Sequence, residues 1–589
     1  MKKKHLLLIA LCLVSATTVV AAPRTRQQAK SVAKDYLAGL NLTMQDTGDS
    51  RPAARKAQAQ TSEPYYVFSI APDRGYVIVS GDDRTTPVLG YVPQGNFDID
   101  SIPPAMRELL DWYAKGISAL DAQDAAPSGA RKVRRKAIAY SDVDLFSSVP
   151  NWGQGDPYNI LLPNYYDSNG GSQGKPVTGC VATATAEVMY AHGQRPSATV
   201  AEIPAYTFTS GSKEVTAPAI ASPATLDWDN MVADYTSSDI DMTQKNAVAY
   251  LMLCLGQAVR AEWGASTSAS VPDMVQVLKD YFGYADHAYF TYASNYSAAH
   301  WKVLVHRELM NGYPIIFRGT NESGNSGHAF VLCGYQSSSD KFYVNWGWGG
   351  SQNGWFALDG LSDYSFVNAG ILNLRYDSEE TDTWDISTPD QLVAFCDVVR
   401  RGGHTDLSIN LQNDIDMADY ADMFTPLGTH DAPFCGTING GGHTIANLGA
   451  PLVGYGCDGL SITNLTLSGN LEDSSLGTAF VGTHTAGTLT ITSTGDGGKG
   501  INCSQDVVVS GGTLTVSTTG GNKQGKPKGV KSDTGIIVSG GSFSVKVEKS
   551  WACDNGTDSE DPADRVTIQG TPTETPTLEK KQVKIVMGD

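Results

Sequence analysis

The segment Thr178-Gly179-Cys180-Val181-Ala182-Thr183-Ala184-Thr185-Ala186-Glu187-Val188-Met189 sets a cysteine at the head of an alanine-rich run with apolar residues at helical spacing. The spacing predicts a buried helix from Val181 onward, with Cys180 at its amino terminus. Unsatisfied N–H groups and the helix dipole favour an anion there. A thiol so placed is expected to have a lowered pKa and more of the thiolate that attacks electrophiles. Gly179 permits close approach of a substrate backbone. A cysteine opening an apolar helix is more often structural than reactive, so the chemistry needs a partner. His328 lies 148 residues further on, within Ser326-Gly327-His328-Ala329-Phe330-Val331-Leu332-Cys333-Gly334-Tyr335, a strand-like run with a glycine near each end. An imidazole beside the thiol would take its proton and later return it to a leaving group. Cys333 is expected on the opposite face of that strand and does not compete as nucleophile.

Two further runs supply what such a pair needs. In Phe342-Tyr343-Val344-Asn345-Trp346-Gly347-Trp348-Gly349-Gly350, Asn345 and Trp346 could orient the imidazole's other nitrogen and shield that contact from water. The alternative is a Trp/Gly-rich turn closing the core. In Asn151-Trp152-Gly153-Gln154-Gly155-Asp156-Pro157-Tyr158-Asn159, the Gln154 amide could donate to a developing oxyanion together with the Cys180 N–H. No His/Asp/Glu cluster has metal-ligand spacing, so no metal or organic cofactor is implied.

The elements that must position these residues sit in a long chain. At 589 residues it exceeds one hydrophobic core, and 41% hydrophobic with 18% charged residues argues for folded domains. A net charge of -19 argues against nucleic acid or an anionic membrane surface as partner. Met1-Lys2-Lys3-Lys4-His5, the apolar run Leu6 to Val14 and the small residues ending at Ala21-Ala22 read as a secretory signal peptide over residues 1–21. Nine cysteines are too sparse for a disulfide scaffold, and most are expected to be small buried hydrophobes; pairing among Cys396, Cys435, Cys457, Cys503 and Cys553 stays open.

Residues 22–136 hold a helical stretch, Arg26 to Leu40, two strand-like runs, Tyr65 to Ile70 and Gly75 to Ser80, and an amphipathic helix, Pro104 to Leu120. They end in the basic run Arg131-Lys132-Val133-Arg134-Arg135-Lys136, a solvated linker and an exposed site for proteolytic nicking. Residues 137–376 mix helix and strand signals and read as an α+β enzyme. Residues 384–470 turn to short β runs. From 471 to 560 the texture repeats: Lys499-Gly500-Ile501 returns as Lys528-Gly529-Val530, and Val509-Ser510-Gly511-Gly512 as Val538-Ser539-Gly540-Gly541, both 29 residues apart. Short alternating strands at a fixed period predict an all-β solenoid.

Taken together, the four runs around Gln154, Cys180, His328 and Asn345-Trp346 resemble the streptopain and interpain family of secreted bacterial cysteine proteases, over roughly residues 25 to 376. The resemblance implies a papain-like fold, Cys180 as nucleophile, His328 as base and Gln154 as oxyanion donor. Asn345 and Trp346 would orient and shield the histidine. Tyr76-Val77-Ile78-Val79-Ser80-Gly81-Asp82-Asp83 and Val88-Leu89-Gly90-Tyr91 resemble the family's inhibitory propeptide, which implies a zymogen matured near residues 131–138. Trp263-Gly264-Ala265-Ser266-Thr267-Ser268-Ala269 sits where relatives carry a loop lining the substrate pocket, although its sequence departs from theirs. The repeats resemble bacterial domains described as carbohydrate-binding.

The expectation is therefore a multidomain secreted or cell-surface endopeptidase: α+β propeptide, papain-like α+β protease domain and C-terminal β-helix. Its partners would be protein or peptide substrates, its own propeptide as inhibitor, and a glycan or cell-surface ligand if the solenoid binds one. Two rival readings are an adhesin with an inactive protease-like domain, and acyl transfer such as crosslinking. Four intact site elements weigh against the first, and an inhibitory propeptide weighs against the second.

Overall fold

The computed structural model describes residues 23–44, 63–70, 74–123, 138–193, 195–320, 327–358, 367–457, 460–471, 482–484, 487–504 and 506–588. The expected signal peptide and the basic run 131–136 lie outside these residues. The chain divides into two units.

The first unit holds helix α1 (Arg26–Gly39), strands β1 (Tyr65–Ser69), β2 (Tyr76–Ser80) and β3 (Val88–Val92), and the later part of helix α2 (Pro104–Gln123). Thr25 caps α1 in a capping box with Gln28, which satisfies amide groups that the first turn leaves open. Ala29, Ala33 and Leu37 fall four apart and bury one stripe. That stripe packs on Tyr66, Phe68, Val77 and Val79, the same-side residues of an antiparallel meander with Tyr65 opposite Ser80 and Tyr76 opposite Val92. The Tyr113 hydroxyl on α2 lies 3.0 Å from the Leu89 carbonyl and 2.7 Å from that of Ala357. The start of α2, within Ile102–Leu109, belongs to the second unit.

The second unit begins its core with α3 (Cys180–Ala191), α4 (Met242–Ala258) and α5 (Val271–Phe282). Strand β4 (Tyr289–Tyr292) and helix α6 (Ala298–Met310) follow, then β5 (Ile315–Thr320), β6 (Gly327–Gln336), β7 (Lys341–Asn345) and β8 (Val367–Leu372). The strands form an antiparallel sheet ordered β4-β8-β5-β6-β7. Every residue of α3 from Val181 to Met189 is buried, because the helix lies between the sheet and α4. A helix apolar all round needs such a site. This is the expected α+β architecture.

Beyond Thr383 the strands pair in parallel. One side chain per coil stacks in register: Ile445 beside Leu467, Leu467 beside Ile491, Ile491 beside Val516 and Val516 beside Val545, all buried. This ladder crosses residues 470–471 without a break, so the two β blocks distinguished by texture form one solenoid. The change of texture reflects irregular loops, while the inward positions keep one apolar rule. Antiparallel strands Thr577–Glu579 and Gln582–Val586 close the last coil, with Ile585 opposite Phe543. Cys435 and Cys457 form a disulfide, whereas Cys254, Cys333, Cys396 and Cys553 are buried free thiols and Cys503 is buried.

Candidate active site

Helix α3 starts at Cys180 because Gly179 turns the chain with φ 89° and ψ 148°, a conformation open essentially to glycine alone. The entry is clamped. Thr178 N donates to the Gln154 carbonyl (3.0 Å) and Val177 N to the Gly264 carbonyl (3.2 Å). The Thr267 hydroxyl donates to the Val177 carbonyl (2.6 Å) and accepts from Gly264 N (3.1 Å). A Cβ on Gly179 would lie 2.8 Å from Thr267 Cγ2. The Trp263–Ala269 segment thus packs against the chain entering Cys180, and buried Gln154 is tied two residues upstream of it.

The partly exposed Cys180 receives the N–H groups of Ala329, Cys180 and Val181, all of which favour its thiolate. Burial outweighs them, and with the Glu108 carboxylate acting in the same direction the thiol's pKa lies above its ordinary value. This corrects the expectation of a lowered pKa. The helix terminus is present, but desolvation of the charged form wins.

Ala329 follows His328 directly, so β6 carries the histidine to the helix that opens on Cys180. The His328 side chain is 26% exposed, and its Nε2 lies 3.8 Å from Glu108 Oε1 at the start of α2. Burial lowers the imidazole pKa, and Glu108 partly opposes that shift. Thiol and imidazole are therefore both displaced toward their neutral forms. Cys333, also on β6, is fully buried, and its thiol is pushed well up by desolvation.

Asn345 ends β7, opposite Val331 of β6, and Trp346 follows it. Trp346 is buried, packs with its ring tilted against Phe330 at 5.1 Å between centroids, and donates its indole N–H to the Gln352 carbonyl at 2.9 Å. Phe330 shares the strand face of His328, which sets Trp346 on the histidine's side of the sheet. The Asn345 amide donates instead to the Pro150 carbonyl (2.9 Å) and to Glu187 Oε1 (3.2 Å), and its oxygen accepts from Gly347 N (3.0 Å). Its bonds in this structure run to the Cys180 helix and to the loop before Gln154.

Two carboxylates at this site were not singled out in the sequence. Glu187 carried a signal, as a lone acid in an otherwise apolar helix. Glu108 carried none, since an acid on an amphipathic helix is ordinary surface.

Residues 152–356 match the Peptidase C10 family, residues 21–117 the Spi protease inhibitor, and residues 456–571 a carbohydrate-binding domain-containing protein. Streptopain from Streptococcus pyogenes is 31% identical over 314 residues, which cover 52% of this chain and 76% of that protein. The thiol protease/hemagglutinin PrtT of Porphyromonas gingivalis is 27% identical over 365 residues, 60% of this chain and 41% of that protein. Among solved structures, a prointerpain A fragment from Prevotella intermedia is 27% identical, covers 53% of this chain and 96% of its own, and has a TM-score of 0.42. Active interpain A from the same organism is 29% identical, with 41% and 98% covered and a TM-score of 0.34.

Proposed function

Because the chain belongs to the streptopain family of cysteine proteases, the Peptidase C10 family, we propose that Cys180 and His328 carry out its peptide hydrolysis and that residues 22–136 hold them latent. The chain is a cysteine-type endopeptidase with an inhibitor-like region ahead of its protease domain. His328 takes the Cys180 proton, and the thiolate attacks the scissile carbonyl. The oxyanion is held by the Gln154 amide and the Cys180 N–H, each such donor being worth about 100- to 1,000-fold in rate. His328 protonates the departing amine, then activates the water that hydrolyses the thioester. Trp346 shields the histidine; Asn345 would have to exchange its present bonds to orient the imidazole.

The observation that carries the reading is the convergence of Cys180, the His328-Ala329 strand and Gln154 at one helix terminus, with Glu108 of the precursor set against the imidazole. Removal of residues before about 137 takes Glu108 from the site and with it one of the groups that oppose the Cys180 thiolate. Export through residues 1–21 and maturation near 131–138 belong to the same reading. The solenoid's stacked polar positions, such as Ser517 bonded to Thr492 at 3.2 Å, suit a glycan ligand.

The test is intact mass over time for residues 23–589, native against Cys180→Ala, under reducing conditions. The native chain should shorten near residues 131–138 while the variant stays whole. If both stay whole and a thiol-reactive epoxide labels neither, the reading is lost.

A further inference from the structure

Glu187 is fully buried within α3, seven residues beyond Cys180. Seven residues are about two helical turns, so both side chains leave the same side of the helix about 10 Å apart along its axis. Glu187 Oε1 accepts from Trp152 N (3.0 Å) and from the Asn345 amide (3.2 Å). Trp152 lies two residues before Gln154, and Asn345 immediately precedes Trp346. The two segments are stitched to each other as well. Asn345 Nδ2 donates to the Pro150 carbonyl (2.9 Å), Gly349 N to the Trp152 carbonyl (2.8 Å) and Asn353 Nδ2 to Asn151 Oδ1 (2.9 Å). Glu187 alone in this set joins that pair of loops to the helix bearing the nucleophile. Its other oxygen, Oε2, is buried without a hydrogen-bond partner.

We propose that Glu187 is a positioning residue for peptide hydrolysis, one buried carboxyl that fixes the oxyanion loop and the Asn345-Trp346 turn against the Cys180 helix. The proposal rests on the assignment of Cys180, Gln154 and Trp346 made above. A buried carboxylate that no cation offsets is costly, whereas the protonated acid keeps Oε1 as an acceptor for both donors. Burial pushes the Glu187 pKa well up, with the Trp152 and Asn345 donors opposing it. Were Glu187 ionised, its charge would act on Tyr158 and Cys333 and push both pKa values up. None of this requires a charge on Glu187. The work is done by an acceptor of fixed reach, which glutamine also provides.

The experiment compares Glu187→Gln, Glu187→Ala and the native enzyme after maturation. It measures kcat and KM on a fluorogenic peptide, Cys180 alkylation by iodoacetamide and thermal unfolding. Glu187→Gln should stay within about threefold of native in kcat, since it keeps the acceptor. Glu187→Ala should lose about 100-fold in kcat, the scale of one misplaced oxyanion donor, with KM changed less than threefold. Its Cys180 should still be alkylated. Should Glu187→Ala fail to fold, Glu187→Asp, which shortens the reach by one methylene, takes its place with the same expected pattern. Native-like kcat in the alanine or aspartate variant overturns the proposal, as does a glutamine variant as slow as alanine. Failure of native Cys180 to react at all would instead overturn the active-site assignment beneath it.

Discussion

Replacing Gly179 by alanine should cripple the enzyme without touching a reacting atom. The backbone there, φ 89° and ψ 148°, is sparsely available to any residue with a Cβ, at a cost of about 1–3 kcal/mol. The new methyl would lie 2.8 Å from Thr267 Cγ2, closer than side-chain carbons pack, so chain or loop must yield by several tenths of an ångström. The loop cannot yield freely, because Thr267 is bonded to both Val177 and Gly264. The strain should fall on Cys180, where about 1 Å of misplacement can cost 100-fold in rate. We expect Gly179→Ala to lower stability by about 2–3 kcal/mol in urea unfolding and to slow self-processing about 100-fold. Thr267→Ser removes Cγ2 and keeps the hydroxyl, so the double variant should recover the steric part and not the dihedral part. Self-processing within threefold of native for Gly179→Ala, with an unfolding free energy lowered by under about 0.5 kcal/mol, would refute the reasoning.

Glu108→Gln, introduced into the inactive Cys180→Ala precursor, should lower the His328 pKa further, because Glu108 is the group opposing the effect of burial. An NMR titration of the imidazole reads this directly, and an unchanged or raised value would contradict it. Acid should destabilise the protease domain through two histidines buried as neutral rings: burial holds His192 down to about 3 and His300 to about 4, against an ordinary value of 6.5. Each contributes stability that is fully present above pH 6.5 and is lost as pH falls toward its folded value, since the unfolded chain takes up the proton first. Replacing His192 by glutamine should flatten the fall of melting temperature between pH 6.5 and 4, followed by calorimetry.

The placement of Cys180 at a helix amino terminus and of His328 on a strand was readable because each sits in a local pattern: an alanine-rich helix opening on Cys180, and an alternating strand around His328. The inward ladder of the repeats was equally local, since every coil must bury its own aliphatic residue. What escaped was set by contacts between distant segments. The raised thiol pKa depends on the packing around Cys180 and on Glu108, neither of which is visible from Gly179-Cys180-Val181. The bonding of Asn345 depends on Glu187, 158 residues earlier. The unbroken solenoid across residue 470 was hidden because irregular loops dominate the local composition, while the apolar positions that matter are few.

The hairpin at Thr577–Val586 changes the sense of strand pairing at the last described coil. Each earlier coil offers the next a parallel edge, and a stack of that kind could in principle accept another coil from any chain. By running antiparallel along Ser542–Lys546, with Ile585 opposite Phe543 and Val583 opposite Val545, the hairpin covers that stretch of the last coil's edge with a strand of the opposite sense, while Thr567–Ile568 continues the parallel pairing at Ile537 and Val538.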